Sequence, residues 1–438
     1  AVTDFLVHWL GIWETLDANY EWDLSPEMRR YIEAYADGLN FYAATHLGAV
    51  DERVLPVTGE DVVAGFMLRH LMFYGFDGVV REVMGSERQR AVSDVIRQIN
   101  PPSLQLPSEQ PLLEPPASLK QPPPEIMMTG VPVGSNAFAI APKISDEGAT
   151  RIAINSHQPA TGPVAWYEAH LQSAEGLNVM GGLFPGSPTV SVGFTENLAW
   201  GATVNRPDLV DVFVLDINPD NENQYRLDGQ WRDLEIRDIG LKIRLWGFLP
   251  WTVTQEGLRS EHGPVLRTDH GTYAVRYAGM GELRQVEQWY RMNLAQDFTD
   301  WKEAMRMMSF ASFNFVYADK EGNIMFLQNS LTPKRDIRYD WQSYLPGDDS
   351  ALIWQENLSF SQMPQVTNPD SGFVFSANQT PFNVTAEAEN PKESALAPEH
   401  GFQTDMSNRA HRGLELFSSL GPMISKEEFS AIKHDKFY

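Results

Sequence analysis

Ten of the chain's 29 prolines fall between residues 101 and 132, three of them consecutive at Pro122-Pro123-Pro124. Proline lacks a backbone N–H and fixes φ, so this stretch can be neither helix interior nor central strand and is expected to run extended over a surface. It divides the 438 residues into a helical region (1–100), a proline-rich linker or spacer (101–134) and a large remainder (135–438). In the first region Ser25-Pro26-Glu27 reads as a helix start, with Ser25 as the cap and Pro26 in the first turn. Tyr31, Ile32, Tyr35, Leu39 and Tyr42 then recur near the 3.6-residue period, and a second helix is expected from Asp61 to Phe76. After Ser135 the texture changes to short β-like runs: Ala137–Ala141, Arg151–Asn155, Thr189–Phe194, Leu198–Val204 and Val212–Ile217. Phe315–Ala318 and Ile324–Leu327 flank a turn and predict a hairpin. Asp300–Met308 predicts a helix capped at Asp300, and Ser425 predicts the start of another. Helices, many strands and returning helices give an α+β class, with packed sheets covered by helices on their outer faces.

Composition removes several functions. Asp and Glu outnumber Lys and Arg 58 to 34, for a net charge of −24, and such a field repels phosphate backbones, so no nucleic-acid partner is expected. No apolar run reaches membrane-spanning length, so no membrane partner is expected. The absence of cysteine excludes disulfides, thiolate metal sites and a cysteine nucleophile. There is no G-x-S-x-G elbow, phosphate loop or H-E-x-x-H zinc helix. Asp216, Asn218 and Asp220 resemble the start of a calcium loop, but Asn221 stands where its glycine belongs, so the segment reads as a polar turn. The 12 Trp and 14 Tyr suit a buried core. They also suit a sugar platform, which keeps open an acidic carbohydrate-binding protein or a glycosidase with paired carboxylates. Neither end carries a clear boundary signal, and the chain is expected to be truncated at both.

The spacer runs into Val131-Pro132-Val133-Gly134-Ser135-Asn136-Ala137-Phe138-Ala139-Ile140-Ala141-Pro142, and three further segments follow. The first is Leu198-Ala199-Trp200-Gly201-Ala202-Thr203-Val204-Asn205 with Asp208-Leu209-Val210-Asp211-Val212-Phe213. Next comes Phe313-Asn314-Phe315-Val316-Tyr317-Ala318-Asp319-Lys320-Glu321-Gly322-Asn323. The last is Asn368-Pro369-Asp370-Ser371-Gly372-Phe373-Val374-Phe375-Ser376-Ala377-Asn378. Together these resemble the penicillin acylase family of N-terminal nucleophile hydrolases, whose precursors cut themselves at a Gly-Ser junction. The likeness spans Ser135 to about Arg412. His157, Tyr167-Glu168-Ala169-His170-Leu171, Pro333-Lys334-Arg335 and Leu345-Pro346-Gly347-Asp348 are similar to the cephalosporin (glutaryl) acylase and acyl-homoserine lactone acylase branch.

The resemblance implies a four-layer αββα core, a cut between Gly134 and Ser135, and a heterodimer of the helical α-chain with a β-chain starting at Ser135. A serine hydroxyl needs an adjacent base, and a chain-terminal amine, with a reference pKa of about 7.7–8.0, can serve as one. Ser135 supplies both groups only after the cut. Gly134 has no side chain to hinder attack on its carbonyl. The family pattern assigns the oxyanion to the Val204 N–H and the Asn378 carboxamide, and places His157 near the nucleophile. Arg409 matches a family arginine near the active site, although in isolation it reads as an exposed helix cation. A glutamate that partners the histidine in the glutaryl enzymes falls beyond residue 438.

By the same resemblance the substrate is an N-acylated small molecule of the acyl-homoserine lactone or β-lactam type. Glutaryl acylases carry arginine at the place of Ser191, so the acyl pocket here is expected to be apolar, with Phe138, Met180 and Phe194 as wall residues. No cofactor is expected to be required. Asp208, Val210 and Asp211 match calcium-binding positions of penicillin G acylases, which makes a structural calcium a further expectation. Localisation by resemblance is periplasmic or secreted. A family member that binds without catalysing is the remaining alternative.

Overall fold

A computed structural model describes residues 2–93, 134–245, 249–419 and 421–437. The proline-rich spacer lies outside the described residues except for its last position, Gly134.

The helical region comprises α1 (Val2–Trp9), α2 (Ile12–Asp23), α3 (Pro26–Thr45), α4 (Gly59–His70) and α5 (Phe76–Val83). The Ser25 side chain accepts the Met28 N–H and Pro26 fills the first turn, which starts α3 where the sequence predicts. Its apolar stripe is only half used: Met28 and Ile32 are buried, whereas Leu39 and Tyr42 are exposed. The helix expected over Asp61–Phe76 is divided. A Thr58–Asp61 capping box starts α4 two residues earlier, Leu71–Phe73 tighten into a 3₁₀ turn, and Gly75 at φ 91° redirects the chain into α5.

Three sheets follow. The smallest is built from β1 (Gly134–Ile140), β2 (Arg151–His157) and β18 (Phe373–Ser376), in the order β18-β1-β2. The second has β3 (Tyr167–Gln172), β4 (Asn178–Leu183), β5 (Val192–Phe194), β6 (Leu198–Thr203), β14 (Ser312–Asp319), β15 (Ile324–Ser330) and β17 (Gln365–Thr367). These seven run in the order β17-β15-β14-β6-β5-β4-β3. The third has β7 (Val210–Val214), β10 (Glu235–Leu245), β11 (Leu249–Ser260), β12 (Gly263–Thr268), β13 (Gly271–Tyr277) and β16 (Leu345–Pro346). A small hairpin of β8 (Gln224–Leu227) and β9 (Gln230–Asp233) stands apart. The remaining helices are α6 (Gln285–Leu294), α7 (Phe298–Arg306), α8 (Asn408–Ser419) and α9 (Lys426–Lys433). The predicted hairpin is β14–β15, and the Ser425–Glu428 capping box starts α9 as expected. The cap of α7 is Asp297 rather than Asp300: its carboxylate accepts the N–H groups of Thr299 and Asp300.

Alternation along β1 builds the layers. Ala137 and Ala139 face Val316, Ala318, Ile324 and Phe326 of the seven-stranded sheet. Their small side chains let the sheets approach, and a Cβ on Gly201 would lie 2.9 Å from the Ile154 side chain. Phe138 and Ile140 point the other way, onto Ala410 and Phe417 of α8 and Phe429 and Ile432 of α9. The far face of the seven-stranded sheet packs Phe315 and Tyr317 against Trp289 of α6 and Trp301 of α7. Each such ring contributes roughly 1.5–3 kcal/mol relative to exposure. The order is therefore helix, sheet, sheet, helix. Helices α1–α5 join the same large core, and Trp9 donates its indole N–H to the Val265 carbonyl at 3.0 Å.

Candidate active site

Ser135 is the second residue of β1 and only 2% exposed. It shares strand parity with Ala137, so it faces the interior between the two sheets. Its N–H donates to Asn378 Oδ1 at 2.6 Å, and its Oγ donates to the Gly134 carbonyl at 2.6 Å. Gly134 stands opposite His157 in the β1–β2 register. A Cβ on Gly134 would lie 2.9 Å from Arg409 Nη2, 3.0 Å from Asn378 Oδ1 and 3.3 Å from His157 Nδ1. The need for glycine is thus set by crowding from three polar side chains as well as by access to its carbonyl.

Asn378 follows β18 at φ 65°, a left-handed conformation that asparagine tolerates. Its Nδ2 donates to the Val204 carbonyl at 2.6 Å, while its Oδ1 accepts from Ser135 and from Arg409 Nη2, the latter at 2.7 Å. These partners fix which end of the carboxamide is oxygen. One of the two Nδ2 hydrogens is committed to Val204, which leaves the second to donate elsewhere. Val204 and Asn378 are thus neighbours, as the resemblance implies.

Arg409 is not an exposed helix cation. It lies in the first turn of α8, half-buried, and donates to the Ser135 carbonyl at 2.8 Å and to Asn136 Oδ1. Burial first, and the Arg409 guanidinium second, hold the His157 ring below the usual histidine range, so it is neutral at pH 7. The Asn155 amide nitrogen lies 3.2 Å from His157 Nε2, which assigns the ring proton to Nδ1, the nitrogen beside Gly134.

Behind these residues runs a buried polar network that sequence reasoning missed. Thr203 Oγ1 meets Ser376 Oγ at 2.8 Å, and Asn314 Nδ2 reaches Ser376 Oγ at 3.4 Å. Asn205 Nδ2 donates to Asn314 Oδ1 at 2.8 Å, and Gln403 Nε2 holds the Asn378 carbonyl at 3.1 Å. A signal was present: Asn314 stands among apolar residues on a strand that is buried throughout, and a buried carboxamide must be paired.

The expected acyl-pocket residues do not gather. Phe138 packs against Phe417 and Phe429 on the helix side of its sheet, away from Ser135. Met180 and Phe194 pair across β4 and β5, but Phe194 is 52% exposed. Ser191 is buried, and among the described residues its Oγ has no hydrogen-bond partner. A cavity of about 270 Å³ lies on the helix side, lined by Asn136, Phe138, His157 and Arg409 among others. Ser135 does not line it.

The residues expected at a calcium site do not fit a divalent cation. Fully buried Asp211 forms an ion pair with Arg335, whose Nη2 lies 2.9 Å from Oδ1, and its Oδ2 accepts Arg335 Nε at 3.1 Å and Trp354 Nε1 at 2.7 Å. Asp208 lies 3.8 Å from the same guanidinium. Burial pushes the Asp211 carboxyl up to about 6 while Arg335 pulls it down, so it is ionised and paired at neutral pH. Among the described residues no group of three or more His, Cys, Asp or Glu is placed to hold a metal. The Asp216–Asp220 segment is the expected polar turn, with the Asp220 N–H on Asn218 Oδ1 at 3.0 Å. Many of the aromatic residues serve the core, Trp200, Trp289 and Trp301 being among the largest fully buried side chains, while Trp22 and Trp251 are exposed. No described helix is long and apolar enough to cross a membrane.

The sequence model of the penicillin amidase family matches residues 1–438. Acyl-homoserine lactone acylase PvdQ of Pseudomonas fluorescens (strain Pf0-1) is 25% identical over 413 residues, covering 86% of this chain and 50% of the relative. Penicillin G acylase of Escherichia coli is 27% identical over 259 residues, covering 58% of this chain and 30% of the relative. Among solved structures, the thermostable penicillin G acylase from Alcaligenes faecalis has a TM-score of 0.57 at 26% identity, over 68% of this chain and 51% of that one. The chain matches about half the length of the PvdQ relative and less than a third of the Escherichia coli relative.

Proposed function

Because the chain belongs to the penicillin amidase family, we propose that it is a self-processing amidohydrolase that cleaves the acyl–amide bond of N-acylated small molecules through Ser135. The observation that carries this reading is the setting of Ser135: a buried hydroxyl against the Gly134 carbonyl, its nitrogen held by Asn378, with His157 and Arg409 alongside.

In the precursor, Ser135 Oγ attacks the Gly134 carbonyl carbon, the C–N bond breaks, and the proton passes to the Ser135 nitrogen. Water then hydrolyses the resulting ester, leaving a carboxylate on Gly134 and an amine on Ser135. Neutral His157, with its ring proton toward Gly134, is positioned to hydrogen-bond the reacting peptide. After the cut, the Ser135 amine takes the proton from its own Oγ as the hydroxyl attacks the substrate carbonyl. The Arg409 charge beside that amine favours its neutral, proton-accepting form. The oxyanion is held by the Val204 N–H and the second Asn378 Nδ2 hydrogen, each such donor worth about 10²–10³ in rate. The leaving amine departs with a proton, and water releases the acid. Acyl-homoserine lactones and penicillin G stand in the relatives' names, and N-acylated molecules of the lactone or β-lactam type are the substrate classes of this reading.

The test is processing coupled to activity. Wild-type precursor yields a piece beginning at Ser135 and gains amidase activity, whereas Ser135→Ala stays whole and inactive. A protein that is cut but hydrolyses no amide supports a binding role instead.

A further inference from the structure

The two oxyanion donors follow strands of different sheets. Val204 comes directly after β6 of the seven-stranded sheet, and Asn378 comes after β18 of the three-stranded one. No backbone ladder joins these two strands, so the spacing of the donors depends on whatever spans the gap. That spacing matters, because a displacement of about 1 Å in a reacting site costs on the order of 10²-fold in rate.

Before the donors, Thr203 and Ser376 tie the strands together through their hydroxyls at 2.8 Å. After the donors, the segment from Gly401 to Asp405 is laced between the two chains. On one side the Asp208 N–H donates to the Gly401 carbonyl at 2.7 Å, and the Arg206 N–H donates to Gln403 Oε1 at 2.7 Å. On the other side Gln403 Nε2 donates to the Asn378 carbonyl at 3.1 Å, and the Thr380 N–H donates to the Asp405 carbonyl at 2.9 Å. The fit is close: Gly401, at φ 72°, has no room for a side chain beside the Asp208 carbonyl.

Gln403 reaches both sides with one carboxamide and is 9% exposed. Its partners fix its orientation, since an N–H needs the oxygen and a carbonyl needs the nitrogen. By holding the Asn378 carbonyl it also holds the peptide that follows a left-handed residue, at φ 65°, whose own carboxamide donates to the Val204 carbonyl at 2.6 Å. Such a conformation persists where its surroundings over-determine it.

We propose that Gln403 is a positioning residue of the acylase reaction: its carboxamide spans the Val204 and Asn378 segments and sets the spacing of the oxyanion donors. The proposal rests on the acylase reading of Ser135, Val204 and Asn378, and adds a residue from outside the strands that carry them. Glutamate at this position keeps the acceptor for Arg206 and loses the donor to Asn378, whereas methionine loses both at similar length.

The experiment measures steady-state hydrolysis of octanoyl and phenylacetyl p-nitroanilides by wild type, Gln403→Glu and Gln403→Met, with rates referred to the chains that begin at Ser135 as counted by intact-mass spectrometry. Crystal structures of the three proteins supply the second readout. Both variants should lower kcat by about tenfold or more while KM changes by less than about threefold. The contact between Asn378 Nδ2 and the Val204 carbonyl, 2.6 Å with Gln403 in place, should lengthen by about 0.5 Å or more in both. This contact is read whether or not a variant is cut, so a variant that fails to process still decides the proposal. A wild-type kcat in Gln403→Met, or an unmoved contact in both variants, overturns it. A lowered melting temperature with unchanged kcat gives Gln403 a purely structural role and overturns it as well. A contact that lengthens in the variants, in a protein whose wild type hydrolyses neither anilide, keeps the clasp and removes the acylase reading.

Discussion

A single carboxamide, Asn378, ties together the Ser135 nitrogen, the Val204 carbonyl and the Arg409 guanidinium. Its left-handed backbone aims it there, and a substitution must be judged on both counts. Asn378→Gly keeps the backbone permissive and removes only the carboxamide. In processed protein it should lower kcat by roughly 10²-fold or more with a much smaller change in KM, read from steady-state kinetics. Asn378→Ala should show the same kinetic loss and, in thermal unfolding, a further cost of about 1–2 kcal/mol from alanine at positive φ. An unchanged kcat in both returns Asn378 to a turn residue. The sequence marked Ser135, Asn378, Val204 and His157 because a motif surrounds each. Arg409 was harder to read, since an arginine in a helix's first turn is ordinarily solvated, and only the docking of α8 onto the small sheet brings it to Ser135.

Elements whose signals are local appear where the sequence places them. The cap at Ser25 and the β14–β15 hairpin follow from residues within a few positions of one another. Boundaries set by packing moved, as where α4 stops at His70 and the chain turns at Gly75. The two aspartates beside β7 show the same contrast. The resemblance placed a cation site there, but a guanidinium from a distant loop, Arg335, pairs with both carboxylates. Arg335 also donates to the Glu399 carbonyl at 3.2 Å, and the Asp208 N–H reaches the Gly401 carbonyl at 2.7 Å, so the cluster ties three segments together. Arg335→Met leaves Asp211 buried without its partner and should cost about 3–5 kcal/mol in denaturant unfolding. Chelator should leave the melting temperature of wild type unmoved. A fall in melting temperature on chelation, restored by calcium, contradicts this assignment.

At the scale of the whole molecule, the first region is part of the same core rather than an appended domain. The Tyr31 hydroxyl donates to the Pro188 carbonyl at 2.7 Å, the Tyr74 hydroxyl to the Ala278 carbonyl at 2.8 Å, and the Ser25 N–H to Glu287 at 3.0 Å. A cut between Gly134 and Ser135 should therefore leave two pieces that co-elute in gel filtration and separate only in denaturant. The overall layering was legible because the short β-like runs after Ser135 and the capped helices at Asp300–Met308 and Ser425 carry local signals, although helix α6 (Gln285–Leu294) was not read. The way α1–α5 seat on the sheets was not, because it depends on contacts more than a hundred residues apart. The account stands on Ser135 acting as a chain-terminal nucleophile, and intact-mass spectrometry of protein quenched during turnover of an acyl anilide tests it directly. The predicted result is a piece beginning at Ser135 that carries one acyl group, absent from Ser135→Ala. Turnover by a chain still continuous across Gly134 and Ser135, or an acyl group on the other piece, would contradict it.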